Sequence, residues 1–431
     1  MARRLGLVLL WIALALSRAS AVGYERIDAA ALATPPSAER SVKALAAYLN
    51  GLCQTDHEKA RAAFRWVTDR VRYDLAALRK GTQLDGSPEA TLKRRIAVCD
   101  GYARLYEALV AEMGLPVKRI NGYLKGFGGL GTAYHAWDAV DLNGHWCLVD
   151  PTLGAGYADG DSGNYRKRFD EHFFCTPPQE FVWDHFPDEP SLQFLSSPWT
   201  RRQFDDHVAV SSGFFRNGVR LGNDNSQRAS LDCGPTVTLT LYAPPRQPDG
   251  GPPSRGAAGG VTRETLSMSA RLQGDRQGPP SRGDCVLTTR SGQEYRFEVR
   301  LPAAGHYTVR IFAGAAGSGT LTSMVEYQLQ CARGMAHFVA FPLSYGVFVP
   351  LQVHLDTPRS GELRAGTLET FRLTTPSVEE MLIDNAGQRL ELTRRGQLFE
   401  GKLRLRKGRL TIYEGKSGQA LKHAVLAYEV V

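Results

Sequence analysis

The chain has 431 residues, 43% of them apolar and 22% charged, which is enough for two or three domains that each bury a core and too apolar for a disordered polymer. Its one long apolar run lies at the N-terminus, which excludes a multispanning helical membrane protein. The net charge of +8 comes from 52 basic and 44 acidic residues, an excess too mild to point to a polyanion.

Arg3 and Arg4, the apolar stretch from Leu5 to Leu16, and then Ala19, Ser20 and Ala21 read as a secretory signal peptide cleaved after Ala21. The stretch is broken at Ser17 and Arg18 and is shorter than the ~20 apolar residues of a spanning helix. The mature chain is therefore expected to be secreted or periplasmic and to hold no transmembrane segment. Seven cysteines follow, at 53, 99, 147, 175, 233, 285 and 331. In an exported protein an odd count leaves at least one thiol free, and the sequence does not rank the pairings of the others. No CxxC pair, clustered Cys and His spacing or glycine-rich phosphate loop occurs, so neither metal nor cofactor is expected. No nucleic-acid motif is present either.

Residues 37–72 read as two helices, the second capped by Asp56 and burying Ala60, Ala63, Phe64, Val67 and Val71 on one stripe. A loop rich in Gly and Asp, residues 81–88, leads to a third helix with Tyr102, Tyr106, Leu109, Val110 and Met113 at helical period, ended by Gly114 and Pro116. From Arg119 the pattern changes to strands. Two apolar runs between Tyr134 and Pro151 flank Asn143 and Gly144, the strongest short signal for a hairpin. The segment from Phe181 to about Phe204 reads as irregular packing around this first domain.

Beyond residue 205 the alternating runs Thr236 to Tyr242, Glu294 to Leu301, His306 to Phe312 and Met324 to Gln330 are those of a β-sandwich. Residues 244–283 are rich in Pro, Gly, Ser and Arg and contain GPPSRG twice, at 251–256 and 278–283; this composition predicts a mobile inserted loop. A second set of strands fills 335–431. The expected division is a first domain at 22–205 and two sandwiches at 206–333 and 334–431. From Arg389 to Lys422 ten basic residues stand against three acidic ones, and the alternation of Lys402, Arg404 and Arg406 with Leu403 and Leu405 predicts a solvated, cationic strand edge.

Cys99 stands one residue before the third helix, where unpaired N–H groups and the helix dipole favour an anion. A lone cysteine there reads by default as an inert thiol or half a disulfide, and the hairpin changes that reading. With a two-residue loop at Asn143 and Gly144, Leu142 faces His145, Val140 faces Cys147, Trp137 faces Asp150 and His135 faces Thr152. Asp150 then shares a face with His135 on the diagonal, about 7 to 8 Å away at the backbone, within reach of an imidazole and a carboxylate. A cysteine at a helix start followed by a His and Asp pair is the pattern of a thiol nucleophile with its base and orienting carboxylate. Trp137 lies on the face of His135 and either shields a site or packs in the core. His145 reads as exposed, and Cys147 and Cys175 as structural thiols or disulfide halves.

The runs Ala97-Val-Cys99-Asp-Gly101-Tyr102-Ala103, His135-Ala-Trp137 and Trp146-Cys-Leu-Val-Asp150-Pro151-Thr152 resemble the transglutaminase-like superfamily, and in detail its kyphoscoliosis peptidase branch. Phe64-Arg-Trp66, Tyr73-Asp74, Gly122-Tyr123, Phe173-Phe174 and Asp184-His-Phe186-Pro187 match as well. The resemblance covers residues 40–205 closely and the β region loosely. It implies an α+β papain-like (transglutaminase-like) catalytic domain followed by two all-β immunoglobulin-like sandwich domains. Within it Cys99 would be the nucleophile, His135 the base and Asp150 the orienting carboxylate. The backbone N–H of Cys99 is the obvious oxyanion donor; Gln83, in the loop before, is a second candidate weighed against a solvated loop amide.

The expected activity is that of an exported thiol enzyme acting on amide bonds of proteins or peptides through a thioester, in the first place a peptidase. Protein crosslinking passes through the same thioester and is the alternative within the class; a non-catalytic interaction protein that keeps the fold is the alternative outside it. The sandwiches are the expected surface for a protein partner.

Overall fold

The computed structural model describes residues 23–82, 85–127, 131–158, 164–222, 225–244, 266–274, 284–315, 320–415 and 423–431. The expected signal segment, Gln83 and both GPPSRG repeats lie outside the described residues. The chain divides into two compact units, one ending at Phe204 and the other starting at Asp205.

In the first unit, α1 (Glu25–Leu32), α2 (Val42–Gly51) and α3 (Asp56–Arg70) precede α4 (Cys99–Glu112). Helix α3 buries Ala60, Ala63, Phe64 and Val67 as its periodicity requires. Its cap is Thr55 rather than Asp56: the Thr55 backbone is extended and its side chain accepts the N–H of Glu58, while Asp56 becomes the first helical residue, where its charge meets the positive end of the dipole. Arg61, fully buried on α3, donates to both oxygens of Asp28 at 2.7 Å, so the buried guanidinium is paired by α1. Helix α4 begins at Cys99 itself, with Val98 as its cap residue, and Gly114 takes a φ of 81° just past its end.

Five antiparallel strands follow: β1 (Val117–Lys125), β2 (Thr132–Leu142), β3 (His145–Val149), β4 (Phe174–Thr176) and β5 (His185–Pro187), in the sheet order β4-β3-β2-β1-β5. Asn143 and Gly144 both adopt positive φ, 58° and 83°, as a two-residue hairpin turn with the right twist demands. Leu142 pairs with His145 and Val140 with Cys147, the register that the turn predicts. Helix α4 packs on β1 and β2, joining Leu105, Tyr106 and Leu109 to Ile120, Ala139 and Val140 in one core. A Cys147–Cys175 disulfide, Cα to Cα 4.7 Å, fastens β3 to β4. The segment after Phe181 is not all irregular, since it supplies β5 at the sheet edge.

The second unit holds two sandwiches. In the first, Ala209–Val210, Thr322–Cys331, Gly305–Ala315 and Leu266–Gly274 form one sheet, to which Ser230–Cys233 adds in parallel; Arg220–Leu221, Thr236–Tyr242, Glu294–Arg300 and Val286–Ser291 form the other. The expectation of a loop throughout 244–283 is corrected here. Leu266–Gly274 pairs with Gly305–Ala315 over nine residues and buries Met268, because Leu266, Met268, Ala270 and Leu272 alternate inside a stretch whose average composition conceals them. In the second sandwich, His354–Thr357, Leu368–Thr374, Leu398–Arg404 and Thr393–Arg395 lie in that order opposite a larger sheet built on His423–Val430, Gly408–Gly415 and Glu380–Asn385. Leu398–Glu400 is paired on both sides, whereas Gly401–Arg404 pairs only with Leu368–Phe371, so among the described residues Lys402 and Arg404 stand on an edge as expected. The cationic face is there as well: Leu403 is buried while Lys402 and Arg404 are exposed.

Candidate active site

The hairpin and α4 converge on one buried group of polar side chains. Strand β3 stops at Val149, opposite Asp138, so the part of β2 from Trp137 back to Thr132 has no neighbour on that side. The N-terminus of α4 fills that place. Cys99, at that terminus, comes beside the His135 ring and the backbone N–H of Ala136, which both act on its thiol. Two glycines allow close packing around this group, Gly101 against the segment before α4 and Gly122 against β5. A Cβ at Gly101 would stand 2.7 Å from Ala97 Cβ and 2.8 Å from Thr91 Oγ1, and one at Gly122, the register partner of His135, would stand 2.2 Å from the Phe186 carbonyl oxygen.

His135 Nε2 lies 2.8 Å from Asp150 Oδ2, which leaves Nδ1 as the ring nitrogen not bonded to that carboxylate. Asp150, fully buried, caps a short helix (Pro151–Ala155) with its other oxygen, which accepts the N–H groups of Thr152 at 2.7 Å and Leu153 at 3.1 Å. The cap fixes the carboxylate rotamer before the histidine is considered. Trp137 stacks on His135 with ring centroids 6.1 Å apart and is itself buried, so it both shields the imidazole and belongs to the core.

Burial pushes the Cys99 thiol up, but the hydrogen bond and charge of His135 and the N–H of Ala136 outweigh it and hold the thiol below its ordinary value, with Asp150 opposing. For His135 burial favours the neutral ring, yet the charge of Asp150, its hydrogen bond and the contact with Cys99 raise it well above the usual histidine value. Burial would raise Asp150, and His135 and His185 pull it below the carboxylate range instead. All three shifts favour a thiolate beside an imidazolium.

The group has a fourth member to which sequence reasoning gave no role. His185, on β5, places Nε2 3.1 Å from Asp150 Oδ2 and Nδ1 2.5 Å from Asp184 Oδ1, and its ring stacks on Phe181 at 3.7 Å. Buried between two carboxylates, it too is held above the ordinary histidine value, burial opposing. The Asp-His-Phe-Pro run marked it, but no spacing ties a residue 35 positions beyond Asp150 to that carboxylate. The nitrogens of His135 and His185 and an oxygen of Asp150 lie within 4.8 Å of one another, donors of the kind that bind metals, and here they are spent on one another as hydrogen bonds. His145 is exposed at the turn, as expected, and Gln83 lies outside the described residues.

Helix, hairpin and sandwiches together define a transglutaminase-like core followed by an immunoglobulin-like domain. Residues 43–151 match the family model described as transglutaminase-like superfamily, and residues 201–342 the one described as KY-like, immunoglobulin-like domain. Residues 43–151 thus form a transglutaminase-like domain and residues 201–342 a KY-like, immunoglobulin-like one. Kyphoscoliosis peptidase of Homo sapiens is 29% identical over 338 residues, 77% of this chain and 45% of that protein. Hillarin of Drosophila melanogaster is 29% identical over 221 residues, 47% of this chain and 27% of that one. The chain thus spans less than half the length of these curated relatives. Among solved structures, red sea bream transglutaminase aligns over 88% of this chain and 69% of its own, at 10% identity and a TM-score of 0.22. Among the described residues no helix is long and apolar enough to cross a membrane.

Proposed function

We propose that this protein is an exported cysteine-dependent enzyme that cleaves amide bonds of proteins or peptides through a thioester, with Cys99 as nucleophile, His135 as acid and base, and Asp150 as the orienting carboxylate. The observation that carries the reading is the buried His135–Asp150 hydrogen bond, 2.8 Å, beside a Cys99 thiol that the His135 charge holds below its ordinary value against burial. The Cys99 sulfur, as thiolate, attacks the amide carbonyl carbon, and the oxyanion is met by the backbone N–H of Cys99, which has no partner within a helix that starts there. His135 Nδ1 gives its proton to the leaving nitrogen, the C–N bond breaks, and a thioester remains. Water, losing a proton to the same nitrogen, then releases the acid and restores the thiol. Asp150 holds the ring with Nε2–H towards itself throughout. His185 positions Asp150 without reaching the reacting atoms.

Hydrolysis is preferred to crosslinking because an amine acceptor must outcompete ~55 M water, which needs a shielded tunnel for a lysine. Export is supported by the charged and apolar N-terminal run and by the Cys147–Cys175 bond, a linkage favoured in oxidising compartments. The immunoglobulin-like domain supports a protein partner. Incubation with casein and a dansylated amine tests the activity. New peptide ends that vanish with Cys99→Ala support it; Cys99-dependent dansyl incorporation without new ends would replace it with amine transfer.

A further inference from the structure

Two cysteines far from the site described above face each other across a strand pair. The four-residue edge strand Ser230–Cys233 runs parallel to Thr322–Cys331, and its last register pair sets Cys233 opposite Cys331. Register partners on neighbouring strands lie about 4.8 Å apart with side chains on one face, inside the ~4.4 to 6.8 Å Cα spacing that a disulfide spans. The disulfide that joins β3 to β4 in this chain has a Cα spacing of 4.7 Å, the same neighbouring-strand distance. A second contact lies at the same strand ends. The Cys331 thiol donates to the carbonyl of Gly234, the residue after Cys233, at 3.4 Å. Burial pushes the Cys233 thiol up, and the neighbouring Cys331 and Asp232 add to the rise. Both are reduced in this structure; Cys331 is buried and Cys233 half-buried, so an oxidant reaches the pair through Cys233.

We propose that Cys233 and Cys331 are a redox-responsive pair, which a low-molecular-weight disulfide of the glutathione type converts into an intrachain bond. Cys233 gives its proton to solvent and attacks one sulfur of the oxidant, whose S–S bond breaks and expels one small thiolate. Cys331, deprotonated in turn, attacks the Cys233 sulfur of the mixed disulfide and expels the second. Two protein thiols are oxidised and one disulfide is reduced to two thiols. The product fastens an edge strand of four residues to the sheet and closes a loop from residue 233 to residue 331, which contains most strands of the first sandwich. Closing so long a loop restricts the unfolded chain and so stabilises the sandwich.

The test uses the full chain carrying Cys99→Ala, which removes the most reactive thiol from the analysis. After equilibration with reduced or oxidised glutathione, thiols are blocked with iodoacetamide and the protein is digested without reduction. Oxidised samples should yield one linked peptide pair joining Cys233 to Cys331, lighter by two hydrogens than its separate halves, and their sandwich should melt several degrees higher than in the reduced sample. With Cys331→Ser added, Cys233 should end as a stable glutathione adduct without the rise. Recovery of both cysteines as blocked thiols after oxidation, persistence of the adduct on Cys233 with Cys331 intact, or bonds from either to Cys53 or Cys285 would overturn the proposal.

Discussion

His185 Nε2 stands 3.1 Å from Asp150 Oδ2, the oxygen that His135 Nε2 meets at 2.8 Å. One carboxylate oxygen therefore carries two imidazoles, and what happens at His185 is felt at His135. Replacing His185 by Phe, which keeps the stack on Phe181, removes one charge-assisted hydrogen bond from Asp150. That bond is worth about 1.5 to 3 kcal/mol, so Cys99-dependent turnover should fall about tenfold or more. His185→Gln, which restores a donor, should recover much of the loss. Kinetics of the two variants against pH check this; a purely structural His185 would leave the pH profile unmoved.

Asp138 is fully buried on β2, and neither carboxylate oxygen has a hydrogen-bond partner. Burial raises its pKa well above 3.8, Glu107, Asp150 and Asp100 add to the rise, and Arg119 opposes it. A folded pKa above the unfolded one means that the native state holds the extra proton. Stability is then fully present below about pH 4 and falls by about 1.4 kcal/mol per pH unit until the folded pKa is reached. Asp138→Asn removes this slope. The melting temperature of the variant minus that of the wild type should rise as the pH climbs above about 4, as scanning calorimetry would show; a constant difference would contradict the assignment.

The Cys147–Cys175 bond fixes β4 to the strand that leads into Asp150. The double replacement by Ala should cost about 3 kcal/mol in denaturant unfolding of the first unit, through the freed unfolded chain. The reactivity of Cys99 at low denaturant should persist, because the Asp150 cap and its two histidines do not include either sulfur.

Deleting residues 266–274 removes a full strand with nine register pairs from the first sandwich. A large drop in its melting temperature, followed by tryptic exposure of Gly305–Ala315, is expected. An unchanged melt would restore the reading of the whole stretch 244–283 as a loop.

The parts of the site set by local rules were legible in the sequence. Asn143 and Gly144 fix a turn and the turn fixes the register as far as Asp138 and Val149; the expected pairs of Trp137 with Asp150 and His135 with Thr152 do not form, because the chain turns into a helix capped by Asp150, which still meets His135 at 2.8 Å. Gly114 ends α4, and the stripe on α3 follows from its period. His185 was not legible in the same way, because β5 joins β1 at the far edge of the sheet by a long-range pairing that no turn encodes. The strand Leu266–Gly274 failed for a different reason. A window wide enough to register Pro and Gly averages away a nine-residue alternation. That Leu398–Glu400 is covered by Thr393–Arg395 folding back upon it is likewise not disclosed by the charges, which mark only the uncovered end at Lys402 and Arg404.

The proposed mechanism requires Cys99 to be a thiolate paired with the His135 imidazolium, and alkylation measures that state without a substrate. Iodoacetamide rates at Cys99, followed by peptide mass mapping from about pH 5 to pH 9, should be nearly flat over the neutral range and, at about pH 6, about 100-fold above those of the same cysteine in unfolded protein. With His135→Ala the flat profile should turn into one that climbs with pH. A wild-type rate that climbs about tenfold per pH unit up to about pH 8, like that of an ordinary thiol, would contradict the account.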